Sequence, residues 1–192
     1  MSEVRCWDSN DPLYVDYHDN EWGRPVTDER GLLERLCLEG FQSGLSWLTI
    51  LRKREAFRAA FATFDADAVA RFDERDVDRL LADATIVRHR GKIEATIANA
   101  RATVALRRNG TNLPQLVWSY RPPERPAPKS WDGWQPDLTE ATALSKELKR
   151  LGFRFVGPTT VYSALEACGI VNDHLADCIV REEVERERAR VG

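Results

Sequence analysis

Apolar residues recur three and four positions apart along much of the chain, and this spacing predicts helices near 29–39, 45–62, 74–84, 90–107, 140–151 and 158–168. Leu32, Leu33, Leu36 and Cys37 make one such face, and Ile93, Ile97, Ala100 and Val104 another. Thr27, Asp65 and Asp73 stand where a side-chain oxygen caps a helix start, and Gly110 and Gly152 where glycine ends a helix. Convincing period-two alternation is absent, so the expected fold class is all-α.

Between the last two pairs of segments lies 121–137, RPPERPAPKSWDGWQPD, whose prolines exclude helix. Trp131 and Trp134 make it unlike a free linker, and sealing of the core is the expected role. The run Arg181–Arg190 mixes Glu and Arg at helical spacing, which predicts a solvated, fraying tail over 179–192.

Composition adds little until charge is placed along the chain. The 192 residues are 43% hydrophobic and 31% charged, ordinary for a globular protein, with net charge −3. That total argues mildly against nucleic acid, yet Arg88, Arg90, Lys92, Arg101, Arg107 and Arg108 fall in one stretch holding a single acid, Glu94. Such a stripe suits a phosphate backbone or a plain solvated helix. No apolar run is long enough to span a bilayer, and the start Met1-Ser2-Glu3-Val4-Arg5 shows no secretory signal. A cytoplasmic, reducing location is expected, with no membrane partner. Cys6, Cys37, Cys168 and Cys178 are then read as thiols or metal ligands.

Two of the three histidines sit near cysteines. His174 and Cys178 are four apart and share a helix face, while Cys6 and His18 flank a segment containing Pro12, read as a loop. These are either two half-sites that never meet or one Cys2His2 set clipping the chain's ends around structural Zn2+. Cys37 and Cys168 lie on apolar faces and belong to the core.

The N-terminal third is dense in aromatic residues: Trp7, Tyr14, Tyr17, Trp22, Phe41 and Trp47. Among them Glu39 follows Leu36-Cys37-Leu38 and precedes Gly40, a context that turns a carboxylate inward. Rings and one acid form a pocket for a flat cationic heterocycle, the rings stacking and the acid accepting an exocyclic N–H. The same residues also fit a Trp-rich core with a helix-end Glu. Further on, 144–162 reads as helix, tight turn and helix, with Gly157-Pro158 feeding the second helix. The free N–H groups there, with Thr159 and Thr160, would hold a phosphate.

Several stretches in order resemble the 3-methyladenine DNA glycosylase type I family. They are Tyr17-His-Asp-Asn-Glu-Trp-Gly23, Leu38-Glu-Gly with Gly44-Leu-Ser-Trp47, Arg88-His-Arg-Gly-Lys-Ile93 with Asn99-Ala-Arg101, Gly152-Phe-Arg-Phe-Val-Gly157 and Gly169-Ile-Val-Asn-Asp-His174. The resemblance runs from Cys6 to about Cys178. It implies a helix-hairpin-helix glycosylase of two interleaved lobes in one catalytic unit, with the hairpin at about 140–168. It also implies Cys6, His18, His174 and Cys178 as zinc ligands. Glu39 would contact the extruded base in a pocket lined by Tyr14, Tyr17 and Trp47, with Trp7 and Trp22 nearby. Leu45 would be the wedge in the base stack. Gly157, Thr159, Thr160, Arg90 and Lys92 would meet the DNA. Two departures stand out: Phe41-Gln42 replaces a Gln pair after the Glu-Gly, and the Cys6–His18 interval is one residue short.

What the resemblance implies chemically is hydrolysis of the N-glycosidic bond of 3-methyladenine in double-stranded DNA by a monomeric base-flipping enzyme. The methylated base is cationic and leaves readily, so the protein extrudes and holds it. Related hairpin glycosylases that also nick DNA carry a lysine just after the hairpin glycine; here Gly157 is followed by Pro158-Thr159-Thr160. Asn172 stands where many relatives have Asp. A monofunctional enzyme with limited power against uncharged lesions is therefore expected. The alternatives are a non-catalytic binder of damaged or structured DNA, a paralogue whose lesion range Phe41 has altered, and a zinc hydrolase, which a closed Cys2His2 set disfavours.

Overall fold

The computed structural model describes residues 4–191, and among them the chain forms ten α-helices and one 3-10 turn with no strand. α1 spans Pro12–Asn20, in a stretch where the apolar pattern predicts none. Pro12 marks no loop: it occupies the first helical turn, where its missing N–H is not needed, and Asp11 caps the helix by accepting from Leu13 N at 3.0 Å. The residues α1 buries are Tyr17 and His18, so no aliphatic stripe announces it.

α2 (Glu29–Gln42) is capped by Asp28 and not by Thr27, because Asp28 Oδ1 reaches Gly31 N at 2.8 Å. α3 (Trp47–Ala60) follows a short corner and is capped by Ser46. α4 (Ala66–Ala70) and α5 (Glu74–Ala82) start at Asp65 and Asp73 as expected, the second with a reciprocal Asp73–Asp76 capping box. α6 (Arg90–Arg108), α7 (Leu113–Trp118), α8 (Thr139–Arg150), α9 (Pro158–Ala167) and α10 (Arg181–Arg188) complete the order.

α2 lies at the centre, packed by α3, α6 and α9, and every residue from Leu32 to Phe41 is buried. A charged residue on this helix is thus carried into the interior whatever its own preference. Ile93 and Ile97 of α6, Leu144 and Leu148 of α8, and Val161 and Leu165 of α9 close the same core. Cys37 and Cys168 are both in it.

The two ends of the chain are tied down. α10 does not fray: Val184 is fully buried, and Arg188 donates to the carbonyls of Gly169 at 2.7 Å and Ile170 at 2.9 Å, in the turn that follows α9. Arg24 pairs with Glu183 at 3.1 Å and with Glu187 at 2.5 Å. A single valine among the seven charged residues of Arg181–Arg188 hid this docking from the sequence pattern. The Pro-rich 121–137 straps over the same region. Trp131 Nε1 donates to the Cys6 carbonyl, Trp134 meets Trp131 edge-on at 5.1 Å, and Pro128 O accepts from Ala176 N at 2.8 Å.

Candidate active site and metal centre

Glu39 sits on the last full turn of α2, where Gly40 lets the α8–α9 hairpin approach. A Cβ at Gly40 would stand 3.3 Å from Phe155 Cβ, so the Glu-Gly pair places an acid where two backbones meet. The carboxylate is 6% exposed and has no hydrogen-bond partner among the described residues. Burial pushes it up to about 8, against a smaller downward pull from Arg35.

Around it stand the rings the sequence suggested, in two groups. Tyr17 is buried with Trp47 at 5.4 Å and Tyr14 at 6.5 Å between ring centroids. Burial raises both tyrosines, with the Glu39 charge adding to the effect, so both stay neutral phenols. Trp7 bridges to the second group: it stacks on Tyr14 at 5.0 Å and meets His18 edge-on at 4.7 Å. Trp22 lies against His174 at 4.5 Å and so walls the Cys/His cluster, not the acid. Phe41 belongs to neither. Its ring is 1% exposed and packs on Phe57 at 4.6 Å and Phe61 at 6.0 Å in the core, because helical rotation turns residue 41 away from the face of residue 39.

Two buried side-chain donors lack partners among the described residues, Trp47 Nε1 and Arg35 Nη1. An unpaired buried donor costs about 1–3 kcal/mol, so two of them on side chains that flank the Tyr17 ring mark a surface suited to completion by a ligand. A flat base offering an N–H to Glu39 and a ring nitrogen to a neighbouring donor has that complement.

Cys6, His18, His174 and Cys178 do meet. Their ligand atoms all lie within 4.8 Å of one another, and all four residues are buried. His174 Nδ1 is 3.2 Å from Cys6 Sγ and 3.4 Å from Cys178 Sγ, and His18 Nε2 is 3.6 Å from Cys178 Sγ. Zinc bound tetrahedrally holds sulfur and nitrogen ligands about 3.5 Å apart. The outer ring nitrogens are also placed for such an ion: His18 Nδ1 is 2.7 Å from Asp19 Oδ1, itself held by Arg5 at 2.9 Å, and His174 Nε2 donates to Trp22 O at 3.0 Å. The hydrogen bond between the two sulfurs lowers Cys178 and raises Cys6. Gly169 makes the closure possible, since a Cβ there would lie 2.5 Å from Gly23 O.

The DNA-facing candidates are distributed as follows. Leu45 is 42% exposed at the corner between α2 and α3, after Gly44 at φ 82°. Gly157 is the N-cap of α9 with Pro158 in its first turn and exposed Thr159 beside it, while Thr160 is half-buried. The hairpin turn is braced by Ser145 Oγ donating to Val156 O at 2.6 Å and by Asn99, which donates to Arg154 O at 3.2 Å and accepts from Arg154 N at 2.7 Å. These braces went unread because Ser and Asn on apolar helix faces look like ordinary interruptions.

The basic stripe is largely spent internally. Lys92 is a correction: it is 7% exposed, and its Nζ donates to Phe41 O at 2.9 Å and Ser43 O at 2.6 Å. It ties off the end of α2 and sets the Leu45 corner, so it does not face DNA. Arg90 is exposed but pairs with Glu74 at 2.6 Å and Asp78 at 3.2 Å. Arg101 and Arg107 bind α4 and its surroundings, and Arg88 and Arg108 carry no ion pair among the described residues. Asn172 is also committed, donating to Glu185 at 2.7 Å and accepting from His174 N at 3.1 Å. A separate cavity of about 680 Å3 opens between 121–137 and α10, lined by Tyr162, Asn172 and Asp173 among others and not by Glu39 or Trp47.

Comparison with known proteins places the chain in a family. The methyladenine glycosylase family matches residues 7–182. DNA-3-methyladenine glycosylase 1 of Escherichia coli (strain K12) is 50% identical over 188 residues, covering 91% of this chain and 95% of that protein. A crystal structure of 3-methyladenine DNA glycosylase I superposes with TM-score 0.88 at 50% identity, over 92% of this chain and 98% of the other. The 3-methyladenine DNA glycosylase I of Staphylococcus aureus, described for its recognition of 3-methyladenine, gives TM-score 0.86 at 39% identity over 90% and 93%. The chain belongs to the methyladenine glycosylase family.

Proposed function

We propose that this chain flips 3-methyladenine out of double-stranded DNA and hydrolyses its N-glycosidic bond. The observation that carries the reading is Glu39: a buried carboxylate without a hydrogen-bond partner among the described residues, whose charge acts on Tyr14 and Tyr17, with Trp47 packed on the Tyr17 ring. The E. coli relative is a DNA-3-methyladenine glycosylase, and the S. aureus one recognises 3-methyladenine; the same base suits this pocket chemically.

The methylated base carries a positive charge. It stacks among the rings by cation–π attraction, and Glu39 accepts its exocyclic N–H while balancing the charge. Because the base is already a good leaving group, no general acid is required, and water attacks the sugar as the bond breaks. Leu45 fills the gap left in the stack, and the N-terminus of α9 holds a backbone phosphate. An uncharged base gains neither the charge pairing nor an easy departure, which gives selectivity.

The four Cys and His residues are proposed to hold structural zinc. With four protein donors the ion has no open position, so it would fix the ends of the chain around α1 and supply no chemistry to the reaction. The opening after Gly157 holds Pro158-Thr159-Thr160, so no amine is placed there to form a Schiff base, and the proposed enzyme is monofunctional. Incubation with methylated duplex DNA should liberate free 3-methyladenine and leave abasic sites intact. No base release from folded protein would overturn the reading, and nicking of an abasic strand would overturn its monofunctional part.

A further inference from the structure

Arg35 is a charged residue in a place that resists charge. It lies on α2 one turn before Glu39, a spacing that puts the two side chains on one helix face. Its side chain is 7% exposed, and its guanidinium stands 5.7 Å from the centre of the Tyr17 ring. Nη2 donates to Glu21, which Arg54 also binds, with Nη1 of Arg54 2.8 Å from Oε2. Nη1 of Arg35 has no partner among the described residues. An anchor to the Glu21–Arg54 pair needs only one edge of a guanidinium. The other edge stays inside, against the Tyr17 ring, on the helix face that also carries Glu39.

We propose that Arg35 is a positioning residue for the base-release reaction, supplying the counter-charge that lets Glu39 ionise within the aromatic pocket. The inference rests on Glu39 being the acid that holds the base. The groups facing Glu39 are few: Arg35 from its own helix, Tyr14 and Tyr17 from α1, and Glu166 with Cys168 from α9 and its end. The tyrosines and the thiol stay neutral. Glu166, raised by its own burial and by Asp173, opposes ionisation of Glu39 when charged. Arg35 is thus the one cation acting on the carboxylate. Glu39 pushed up to about 8 is partly ionised at neutral pH; without Arg35 the burial of the carboxylate acts unopposed.

The test is a carbon-detected NMR titration of the Glu39 carboxyl, assigned by its loss in Glu39→Gln, in the natural protein, Arg35→Lys and Arg35→Met. The expected result is a midpoint about one pH unit higher in Arg35→Met, with Arg35→Lys restored most of the way to the natural value. Base release at pH 7 should then fall roughly tenfold in Arg35→Met and recover as pH is raised through the new midpoint. If Arg35→Met does not fold, Arg35→Gln and Arg35→Lys carry the comparison. An unchanged Glu39 midpoint in a folded variant lacking the charge overturns the proposal, as does an activity loss equal at all pH values. The titration needs no turnover. Failure of base release in the natural protein would therefore count against the function, and failure of the midpoint to move would count against Arg35 alone.

Discussion

Replacing Glu39 by glutamine is expected to stabilise the fold while abolishing most of the activity. Glu39 titrates at about 8 in the folded chain against an ordinary 4.5, with burial as the main cause. The folded protein therefore holds a proton that the unfolded chain has lost between those two values. Stability contributed at this position falls as pH rises from about 4.5 and levels off above about 8. At 1.36 kcal/mol per pH unit the full penalty is about 5 kcal/mol, of which about 3 kcal/mol is felt at pH 7. Glutamine is neutral throughout and close in shape, but its unpaired amide costs roughly 1–2 kcal/mol to bury. The net gain is then about 1–2 kcal/mol at pH 7, rising to about 3 kcal/mol at pH 9 and vanishing near pH 5. For a chain this long each kcal/mol moves Tm by about 2–4 °C. Thermal or urea unfolding of both proteins at pH 5, 7 and 9 measures the difference directly. A glutamine variant less stable at every pH, or a gap that stays constant with pH, would refute the reasoning.

Other substitutions separate core from site. Phe41→Gln should cost about 3–5 kcal/mol of stability, because the ring is packed on Phe57 and Phe61, and should leave the range of released bases unchanged in the protein that remains folded. Altered lesion choice without loss of stability would show that the ring reaches the pocket. Leu45→Ala should leave the unfolding free energy within about 0.5 kcal/mol of the natural value, since the side chain is exposed. It should slow base release from duplex DNA roughly tenfold yet bind free 3-methyladenine normally, which fluorescence quenching of the pocket tryptophans can check. Cys178→Ser should lose about one equivalent of zinc by elemental analysis and several kcal/mol of stability, with the ends of the chain becoming protease-sensitive. Full metal content in that variant would place the ion elsewhere.

Legibility of the sequence tracked how each residue earns its place. Helices with an aliphatic face, such as α2 and α6, follow from periodicity, and Asp65 and Asp73 cap the helices they precede. α1 escaped because its interior face is Tyr17 and His18, and α10 because the residues it buries are one valine, Val184, and an arginine, Arg188, that grips carbonyls. The inward turn of Glu39 was readable from its apolar neighbours and Gly40. The meeting of Cys6 and His18 with His174 and Cys178 was not fixed by spacing, since it depends on the 155 residues that lie between His18 and His174; only the likeness to a family joined the two halves. Lys92 misled because a lysine in a basic stripe looks solvated, whereas its four-carbon stem lets it reach two carbonyls at the end of α2. Arg35 gave no signal of its own: its role depends on helix spacing combined with burial that only the packed structure supplies.

The most direct test of the account is single-turnover release of 3-methyladenine from methylated duplex DNA by the natural protein and by Glu39→Gln, with enzyme in excess. The account predicts that the natural protein releases the base and that Glu39→Gln, though folded and more stable, releases it at least roughly a hundredfold more slowly, the scale expected when a buried charge-pairing group is removed. Equal rates in the two proteins would contradict it, because the carboxylate at the centre of the pocket would then be doing nothing for the base.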